Sequence, residues 1–341
     1  MTETRPAVAV DDLHVTFGRK RGSVRIRAVD GVSFDVPSGE IFGVIGESGS
    51  GKSTLGRCIV GLIEPSSGTV RHGDIDPFAM PRHAFNEHRR KYQIIAQDPN
   101  AAFNPRMTML QSVCEPLEIA GIGSRAERRE RALEMLNRVA LAPELANRYP
   151  HELSGGQKQR ANVARALVLD PTVLVCDEVV AALDVSIQAG MLNLFWKLRQ
   201  EFDLTYVFIS HDLRVVGHIS DRIAVMYFGK IVEVGPAREV LQRPLHPYTE
   251  ALHSAEPEIS VAPADARQRI VLEGEIPSAI APPSGCRFHT RCPMAVDRCR
   301  SEEPAWRELI PGRHVACHFA EDMLRRSDGV QRSKEEVSAA E

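Results

Sequence analysis

An eight-residue stretch near the N-terminus combines glycines, hydroxyls and one lysine at a spacing that suits phosphate binding. It is GESGSGKS, from Gly46 to Ser53, and Thr54 follows it. Glycines let successive backbone N–H groups curl around phosphate oxygens, Lys52 reaches the outer phosphates, and the Ser53 hydroxyl ligates Mg²⁺. The other positions predicted to contact the phosphates are Gly46, Glu47, Ser48, Gly49, Ser50 and Gly51.

A pair of acidic residues, Asp177 and Glu178, ends the apolar run VLVCDE. Two carboxylates at the end of a strand are often no more than solvated. A phosphate-binding loop, however, needs an acid at the end of a neighbouring strand to hold Mg²⁺ and a base to polarise water. We therefore predict that Asp177 holds the metal and that Glu178 activates the attacking water.

A third segment, ELSGGQKQRANVARAL, has no role in a simple single-chain enzyme with a phosphate-binding loop. Ser154 would cap the following helix, which is the purely structural interpretation. The positive end of a helix with bare glycine amides also attracts a phosphate. The predicted phosphate contacts here are Ser154, Gly155, Gly156 and Gln157.

Four of the seven cysteines lie near the C-terminus, at Cys286, Cys292, Cys299 and Cys317, with gaps of five, six and seventeen residues. Four thiolates suit either Zn²⁺ or an iron-sulfur cluster. The absence of a short zinc knuckle favours the cluster, whereas three nearby histidines keep a mixed zinc site open, and a disulfide is a further alternative. These histidines are His289, His314 and His318. The remaining thiols, Cys58, Cys114 and Cys176, lie in apolar surroundings and are predicted to be packing residues.

The elements that must position these groups follow an alternating order. An apolar run precedes the glycine loop and a helical pattern follows it, with Leu55, Cys58, Ile59 and Leu62 on one face. The runs PTVLVCDE and LTYVFISHD are typical of buried parallel strands, and VSIQAGMLNLFWKLRQEF between them predicts a helix. SRAERRERALEMLNRVALA predicts an amphipathic helix within a helical insertion. The fold class is therefore α/β with a mainly parallel sheet.

Composition excludes several classes of protein. The chain has 341 residues, with 43% hydrophobic and 26% charged, and 42 basic against 45 acidic residues. A net charge of −3 gives no global reason to bind nucleic acid. No apolar run is long enough to cross a bilayer, and the N-terminus lacks the pattern of a secretory signal. The basic stretch 18–27 is expected to be a solvated hairpin loop.

The combination of these motifs resembles the ATP-binding-cassette superfamily. That resemblance implies a P-loop fold with a parallel core, an antiparallel β subdomain and a helical insertion at about 98–165. It also implies further roles for single residues. Gln97 corresponds to a glutamine that senses Mg²⁺ and the attacking water, His211 to a histidine that bonds the γ-phosphate, Asp184 to an acid at the dimer interface, and Phe17 to an aromatic that stacks on adenine.

The resemblance is closer to the ATPase subunits of bacterial oligopeptide and dipeptide importers, of the second-ATPase type, over about residues 7–320. It implies ATP and Mg²⁺ as ligands and a C-terminal extension able to hold a [4Fe-4S] cluster. The implied partners are a second ATPase subunit, two permeases and an extracytoplasmic solute-binding protein, with no nucleic acid. The implied location is the cytoplasmic face of the inner membrane. The segments that carry the resemblance are QDPNAAFNPRMT, YPHELSGGQKQR, ALDVSIQ, ISHDLRVVGHISDRIAVMYFGKIVE, RPLHPYTEALHSAEPE and GEIPSAIAPPSGCRFHTRCPMAVDRC.

The sequence departs from the usual wording of that branch at Val179, Ala181 and Ala96, which bears on turnover and interface fit. We predict an ATPase domain over 1–251, an extension over 252–320 with the four-cysteine site, and a disordered tail over 321–341. The function predicted is ATP-driven solute uptake. The alternative is a soluble regulatory or nucleic-acid-associated ATPase with a metal-sensing C-terminal segment.

Overall fold

The computed structural model describes residues 5–18, 25–181, 183–255, 270–272, 280 and 282–326. Most of the predicted disordered tail and the centre of the predicted basic loop lie outside these ranges.

An antiparallel sheet of three strands forms from the N-terminal part of the chain. Its strands are β1 (Pro6–Phe17), β2 (Ile26–Pro37) and β4 (Ser67–Arg71), in the order β2-β1-β4. Val8, Val10, Leu13 and Val15 of β1 are buried and alternate with more exposed residues, as expected when one face of a sheet covers a core. The predicted hairpin and the antiparallel subdomain are confirmed.

The larger sheet has eight strands and holds the core of the molecule. Its order is β10-β11-β9-β8-β3-β7-β6-β5. The five strands from β8 to β5 pair in parallel, and the three at the other edge pair antiparallel. The predicted mainly parallel α/β sheet is therefore confirmed. The strands are β3 (Ile41–Ile45), β5 (Tyr92–Ile95), β6 (Val173–Asp177), β7 (Thr205–Ser210), β8 (Arg222–Tyr227), β9 (Lys230–Pro236), β10 (Arg307–Ile310) and β11 (Arg313–Val315).

α-Helices and four short 3₁₀ segments surround the sheets within the described residues, and residues 320–326 are also helical. The 3₁₀ segments are Pro77–Ala79, Arg89–Lys91, Pro143–Leu145 and Pro150–Glu152. The helices are α1 (Lys52–Ile59), α2 (Arg82–His88), α3 (Met109–Ile119), α4 (Arg125–Arg138), α5 (Gly155–Leu167), α6 (Val185–Phe202), α7 (Leu213–Ile219), α8 (Ala237–Gln242), α9 (Pro247–Ser254) and α10 (Asp297–Ser301).

The predicted helical insertion consists of α3, α4 and α5. Thr108, Ser124 and Ser154 each begin one of these helices with a capping box, in which the hydroxyl accepts a backbone N–H and the side chain three residues on returns a bond. Predicted helices over α4 and α6 are confirmed. Within the described residues, none of the helices is both long enough and apolar enough to cross a membrane.

One sequence prediction about α1 is wrong. We placed Leu62 on the buried face of this helix, but α1 ends at Ile59 and Leu62 is 51% exposed. Gly61, at φ +70°, turns the chain before Leu62 is reached, and the ring of Phe85 lies where a Cβ on this glycine would be. The helical period therefore stops one turn earlier than the apolar pattern does.

The C-terminal segment joins the large sheet through β11. His314 pairs with Val234 of β9, and Val315 pairs with Glu233. Arg313 lies next to this pairing, 1% exposed, and its guanidinium donates to the carboxylate of Glu233, which is 0% exposed, at 2.7 Å. The extension is thus continuous with the sheet of the ATPase part. Our division of the chain at residues 251 and 320 remains a prediction.

Candidate nucleotide-binding site

The predicted phosphate-binding loop follows β3 directly, at the end of the parallel strands. Its three glycines have backbone conformations that side chains rarely adopt, Gly46 at φ +152°, Gly49 at φ +80° and Gly51 at φ +106°. A Cβ atom would lie 2.0 Å from the carbonyl oxygen of Met226 at Gly46, and 2.1 Å from that of Ala28 at Gly51. Both positions therefore require glycine, because the loop is packed against neighbouring backbone.

The loop borders an open cavity of about 240 Å³. The sequence predicted the loop residues, Gln97 and Glu178 of its lining, but not its second wall, which comes from the start of β2 and the turn between β8 and β9. The turn between two strands gave no chemical signal that could have identified it. The lining residues are Ile26, Arg27, Ala28, Ser48, Gly49, Gly51, Lys52, Ser53, Thr54, Gln97, Glu178, Phe228 and Gly229.

Lys52 is 4% exposed, and its ammonium group is bonded within the loop. It donates to the carbonyl oxygens of Gly46 at 2.7 Å and Glu47 at 2.9 Å. Burial lowers the pKa of Lys52, while the neighbouring carboxylates, first of all that of Glu178, oppose this shift. A buried cation held by neutral oxygens can exchange those partners for phosphate oxygens, which are stronger acceptors.

Two of the three predicted Mg²⁺ ligands, Ser53 and Asp177, contact each other, whereas the third, Gln97, contacts Glu178. The Ser53 hydroxyl donates to an oxygen of Asp177 at 2.9 Å, which joins the start of α1 to the end of β6. Burial raises the pKa of Asp177, and the Ser53 hydrogen bond partly opposes it. A hydroxyl and a carboxylate at this separation form the oxygen donor set that Mg²⁺ prefers, so the residues fit the predicted metal.

Glu178 lies between two other predicted catalytic residues. The Gln97 amide donates to one of its carboxylate oxygens at 2.7 Å, and Nδ1 of His211 lies 3.3 Å from the other. The backbone of Glu178 has φ +50°, which is unusual for a residue with a Cβ, and its N–H donates to the carbonyl of Ile209 at 2.9 Å. Two segments that are distant from Glu178 in sequence, at Gln97 and at 209–211, therefore hold this residue beside the phosphate loop.

Phe17, predicted to stack on adenine, ends β1 and is 42% exposed. It pairs with Ile26 across the two strands, and Ile26 lines the cavity while Phe17 does not. The aromatic ring is thus near the mouth of the cavity. Its role remains a prediction.

The glycine-rich signature at the start of α5 lies elsewhere on the molecule. Ser154 caps the helix, accepting the Gln157 N–H at 3.4 Å and donating its own N–H to the Gln157 side chain at 2.9 Å. Ser154 and Gly155 are exposed, and the cavity lining includes none of the residues Ser154–Gln157. Asp184, at the start of α6, is also exposed and makes no capping bond with its side chain. Their predicted contacts with nucleotide are therefore not made to this cavity within one chain.

The four C-terminal cysteines share one neighbourhood without converging on one point. Burial raises the pKa of Cys317 to about 12, and Cys286, Cys292 and Cys299 each add to the shift, so the four thiols are close enough to affect one another. Yet no three His, Cys, Asp or Glu side chains in the described part of the chain are arranged to hold a metal ion. The predicted iron-sulfur or zinc site is therefore not supported by the positions of the side chains.

The three histidines of the mixed zinc alternative have other contacts. A ring nitrogen of His289 bonds the carbonyl of Cys286 at 2.8 Å, and one of His318 bonds the carbonyl of Glu302 at 3.1 Å. His314 lies in β11 and stacks on Trp306. The other three thiols are buried, as predicted: Cys58 and Cys176 are 0% exposed and Cys114 is 8% exposed.

Comparison with known proteins gives two family matches. Residues 29–181 match the family described as ABC transporter. Residues 232–299 match the family described as oligopeptide/dipeptide transporter, C-terminal region. The second match begins within β9 and includes three of the four clustered cysteines.

Individual relatives match most of the chain. A probable peptide ABC transporter ATP-binding protein of Sinorhizobium fredii is 50% identical over 86% of this chain and 82% of its own length. The oligopeptide transport ATP-binding protein AppF of Bacillus subtilis is 48% identical over 89% of this chain and 92% of its own. Among solved structures, the dimer of MJ0796, a bacterial ABC transporter cassette, matches with a TM-score of 0.62 and 32% identity over 68% of this chain and 99% of that one.

Proposed function

This chain belongs to the ABC transporter family of ATP-binding proteins, and from that premise we propose that it powers uptake of oligopeptides, dipeptides or related small solutes in a bacterial importer. The chain is an ATPase subunit, in which hydrolysis of ATP drives transport. Its relatives named above carry peptide or oligopeptide transport in their names. The finer statements that follow, on residues, partners and location, are our proposal.

One observation carries the assignment of the reaction, namely the position of Glu178. Its carboxylate is 14% exposed, lines the phosphate cavity and is bonded from two sides by Gln97 and His211. A carboxylate fixed in this way can accept a proton from water directed at the γ-phosphate. His211 and Gln97 orient it, and Lys52 and the loop N–H groups bind the phosphates.

Ser53 and Asp177 would hold Mg²⁺, which neutralises phosphate charge when it is bound. The chain itself supplies three steps. Lys52 transfers its hydrogen bonds from the loop carbonyls to the phosphates, Glu178 takes the proton of the attacking water, and His211 donates to the γ-phosphate. Since no covalent intermediate is involved, catalysis depends on positioning and on charge neutralisation.

A second ATPase subunit completes the site in this proposal. The exposed Ser154 and Asp184 do not line the cavity of their own chain, and both begin helices whose N–H groups favour an anion. A head-to-tail pair would bring the signature of each chain to the phosphates bound by the other. The similar MJ0796 cassette is dimeric, which supports the proposal of a paired subunit. We propose a similar but distinct ATPase as the partner.

This chain has a candidate docking surface for the permeases. A groove of about 600 Å³ lies between β5, α3 and α5, with Leu62 and Ile119 on its walls, which are 51% and 82% exposed. The side-chain nitrogen of Asn162 in this groove is buried without a hydrogen-bond partner among the described residues. Arg89 and Arg90 lie at its border, so the groove fits an amphipathic cytoplasmic segment that carries acidic and polar side chains. The lining strand β5 ends two residues before Gln97, which links docking to the catalytic carboxylate.

This docking would make the chain a peripheral subunit on the cytoplasmic face of the inner membrane. An extracytoplasmic binding protein would select the solute.

The iron-sulfur cluster is the least supported part of the proposal. Four thiols around one Zn²⁺ would lie about 3.8 Å apart, given Zn–S bonds of about 2.3 Å. The thiols of a cluster each bind a different iron and are therefore farther apart. Iron, acid-labile sulfide and zinc, assayed after purification without oxygen, decide it: equal iron and sulfide, lost in Cys292→Ser, support the cluster, whereas one zinc or no metal contradicts it.

The function is tested by reconstituting the chain with its second ATPase, permeases and binding protein in liposomes. We expect ATP hydrolysis that rises when a peptide-loaded binding protein is added, together with accumulation of labelled peptide. Ile119→Asp should uncouple hydrolysis from the permeases, whereas Leu133→Asp, on the exposed side of α4, should not. Hydrolysis that is indifferent to the permeases, in a chain that copurifies with DNA or ribosomes, would favour the regulatory alternative.

A further inference from the structure

A short turn of the C-terminal extension, residues 287–291, lies against the phosphate-binding loop. Arg291 donates to both carboxylate oxygens of Glu47, at 2.7 and 3.1 Å. The Arg291 side chain is 8% exposed and that of Glu47 is 25% exposed, so this pair is largely removed from water. Two parallel bonds between a guanidinium and a carboxylate fix both position and orientation.

Glu47 is the residue through which this pair reaches the nucleotide site. Its carbonyl oxygen accepts from the Lys52 ammonium at 2.9 Å and from the N–H of Ser50 at 3.2 Å. Its own N–H donates to the hydroxyl of Tyr248 in α9 at 2.8 Å. Every polar group of Glu47 is thus bonded, and the side chain does not line the cavity.

Packing of the same turn against the core holds Arg291 in position to contact Glu47. Phe288 is 1% exposed, and its ring centroid lies 5.2 Å from that of Tyr227 and 5.4 Å from that of Tyr248. The Tyr248 that bonds Glu47 therefore also holds Phe288. An aromatic side chain buried among others fixes the direction of the chain around it.

A second arginine of the turn contacts the opposite wall of the cavity. Arg287 pairs with the carboxylate of Asp30 and donates to the carbonyl of Phe228 at 3.2 Å. Phe228 and its neighbour Gly229 line the cavity. The extension therefore contacts both sides of the site that binds ATP, although none of the residues 287–291 touches the cavity itself.

We propose that Arg291 is a positioning residue for ATP that acts through Glu47, so that the C-terminal extension is a working part of the nucleotide site. Without Arg291, an uncompensated carboxylate would remain in a loop that must receive the negative charge of a triphosphate. The bidentate pair cancels that charge and holds the carboxylate on the side away from the cavity. This inference rests on the proposed ATP binding.

The test is equilibrium binding of a non-hydrolysable ATP analogue with Mg²⁺ to the full-length chain. We expect Arg291→Gln to weaken binding about 10- to 100-fold, because the uncompensated Glu47 carboxylate would repel the triphosphate. Glu47→Gln should bind more tightly than Arg291→Gln, because removing the carboxylate also removes the repulsion. The double variant should recover most of the affinity lost in Arg291→Gln.

A matched control is Arg298→Gln, in the same extension, because Arg298 pairs with Glu302 on the surface with both side chains more than half exposed. It should leave binding unchanged. The ATP affinity of Arg291→Lys should lie between those of Arg291→Gln and Arg298→Gln, since the lysine restores the charge without the two-bond geometry. Lower salt should enlarge the Arg291→Gln defect, because it reduces screening of the unpaired Glu47 carboxylate.

Two results would overturn the inference. One is unaltered binding in Arg291→Gln; the other is a double variant as weak as Arg291→Gln, which would mean that the contact matters only for packing. Urea unfolding of each variant identifies loss of folding, and in that case Glu47→Gln and Arg291→Lys decide, because equal weakening in both would reject a role for charge. A wild-type chain that binds no ATP would reject the proposed function itself.

Discussion

The phosphate site and the C-terminal extension both carry recognisable sequence motifs, but they relate to those motifs in opposite ways. At the phosphate site the motif residues themselves form the observed contacts, such as Ser53 with Asp177 and Gln97 with Glu178. In the extension the motif residues are the cysteines, yet the contacts around the phosphate site come from Arg287, Phe288 and Arg291 between them.

The difference follows from what each motif has to contact. A phosphate is bound by a continuous stretch of backbone and two strand ends. The residue types that it requires therefore occur at short spacing in the sequence. The extension must instead fit a surface formed by β8, β9 and α9, and any arginine or aromatic could serve if the fold placed it correctly. The cysteine motif of the extension therefore indicates a ligand, whereas residues outside that motif hold the extension against the protein.

The largest expected effect belongs to the phosphate site. Glu178→Gln should lower ATP turnover by about 10²- to 10⁴-fold, because the base is lost while the shape is kept. ATP binding should persist, and a closed ATP-bound dimer should accumulate. Turnover in the assembled complex and gel filtration with ATP measure this. Glu130→Gln, on the exposed side of α4, is the control. Normal turnover would reject Glu178 as the base.

The next effect tests how firmly the extension is joined to the sheet. Arg313→Met leaves the fully buried Glu233 without its charged partner, and we expect a loss of about 3–5 kcal/mol in the free energy of unfolding. Urea denaturation measures it. Arg298→Met removes a pair whose side chains are 62% and 58% exposed and should cost less than about 1 kcal/mol. Equal losses would show that burial of the Glu233 pair does not hold the extension.

Acid should weaken the contact between the extension and α9. Burial lowers the pKa of His246 to about 3, and its Nδ1 accepts the Tyr248 N–H at 3.0 Å in the neutral form. The unfolded chain takes up this proton below about pH 6.5. The neutral His246 side chain therefore makes its full contribution to the free energy of unfolding above that pH. This contribution is lost as the pH falls from about 6.5 towards 3. His246→Asn should flatten this part of a stability–pH profile; an unchanged slope would contradict the assignment.

The smallest effect is expected at a surface pair of the extension. Arg307 donates to both oxygens of Glu321, but the two side chains are 38% and 46% exposed. Arg307→Gln should cost no more than about 1 kcal/mol, and less at high salt. Urea denaturation at two salt concentrations measures this. A loss as large as that of Arg313→Met would show that the extension depends on its surface as much as on its buried edge.

Sequence patterns predicted much of the fold and most of the site. The parallel strands ending at Asp177 and Ser210 follow from continuous apolar runs, and the helix over Val185–Phe202 and the helical insertion follow from helical patterns. Leu62 was placed wrongly because Gly61 ends α1 before the apolar pattern stops. The cavity wall at Phe228 and Gly229 was missed, since a turn between two strands carries no chemical signal of its own.

By itself the sequence determined the phosphate loop, the acidic pair at Asp177 and Glu178 and the family of the protein, because these depend on residue types at short, fixed spacing. Only the tertiary structure decided that Glu178 is held by Gln97 and His211, and that Arg291, 244 residues along the chain from Glu47, bonds its carboxylate. Such contacts depend on the relative placement of packed elements. That placement is set by burial of the whole core, and it cannot be predicted from any local pattern of residues.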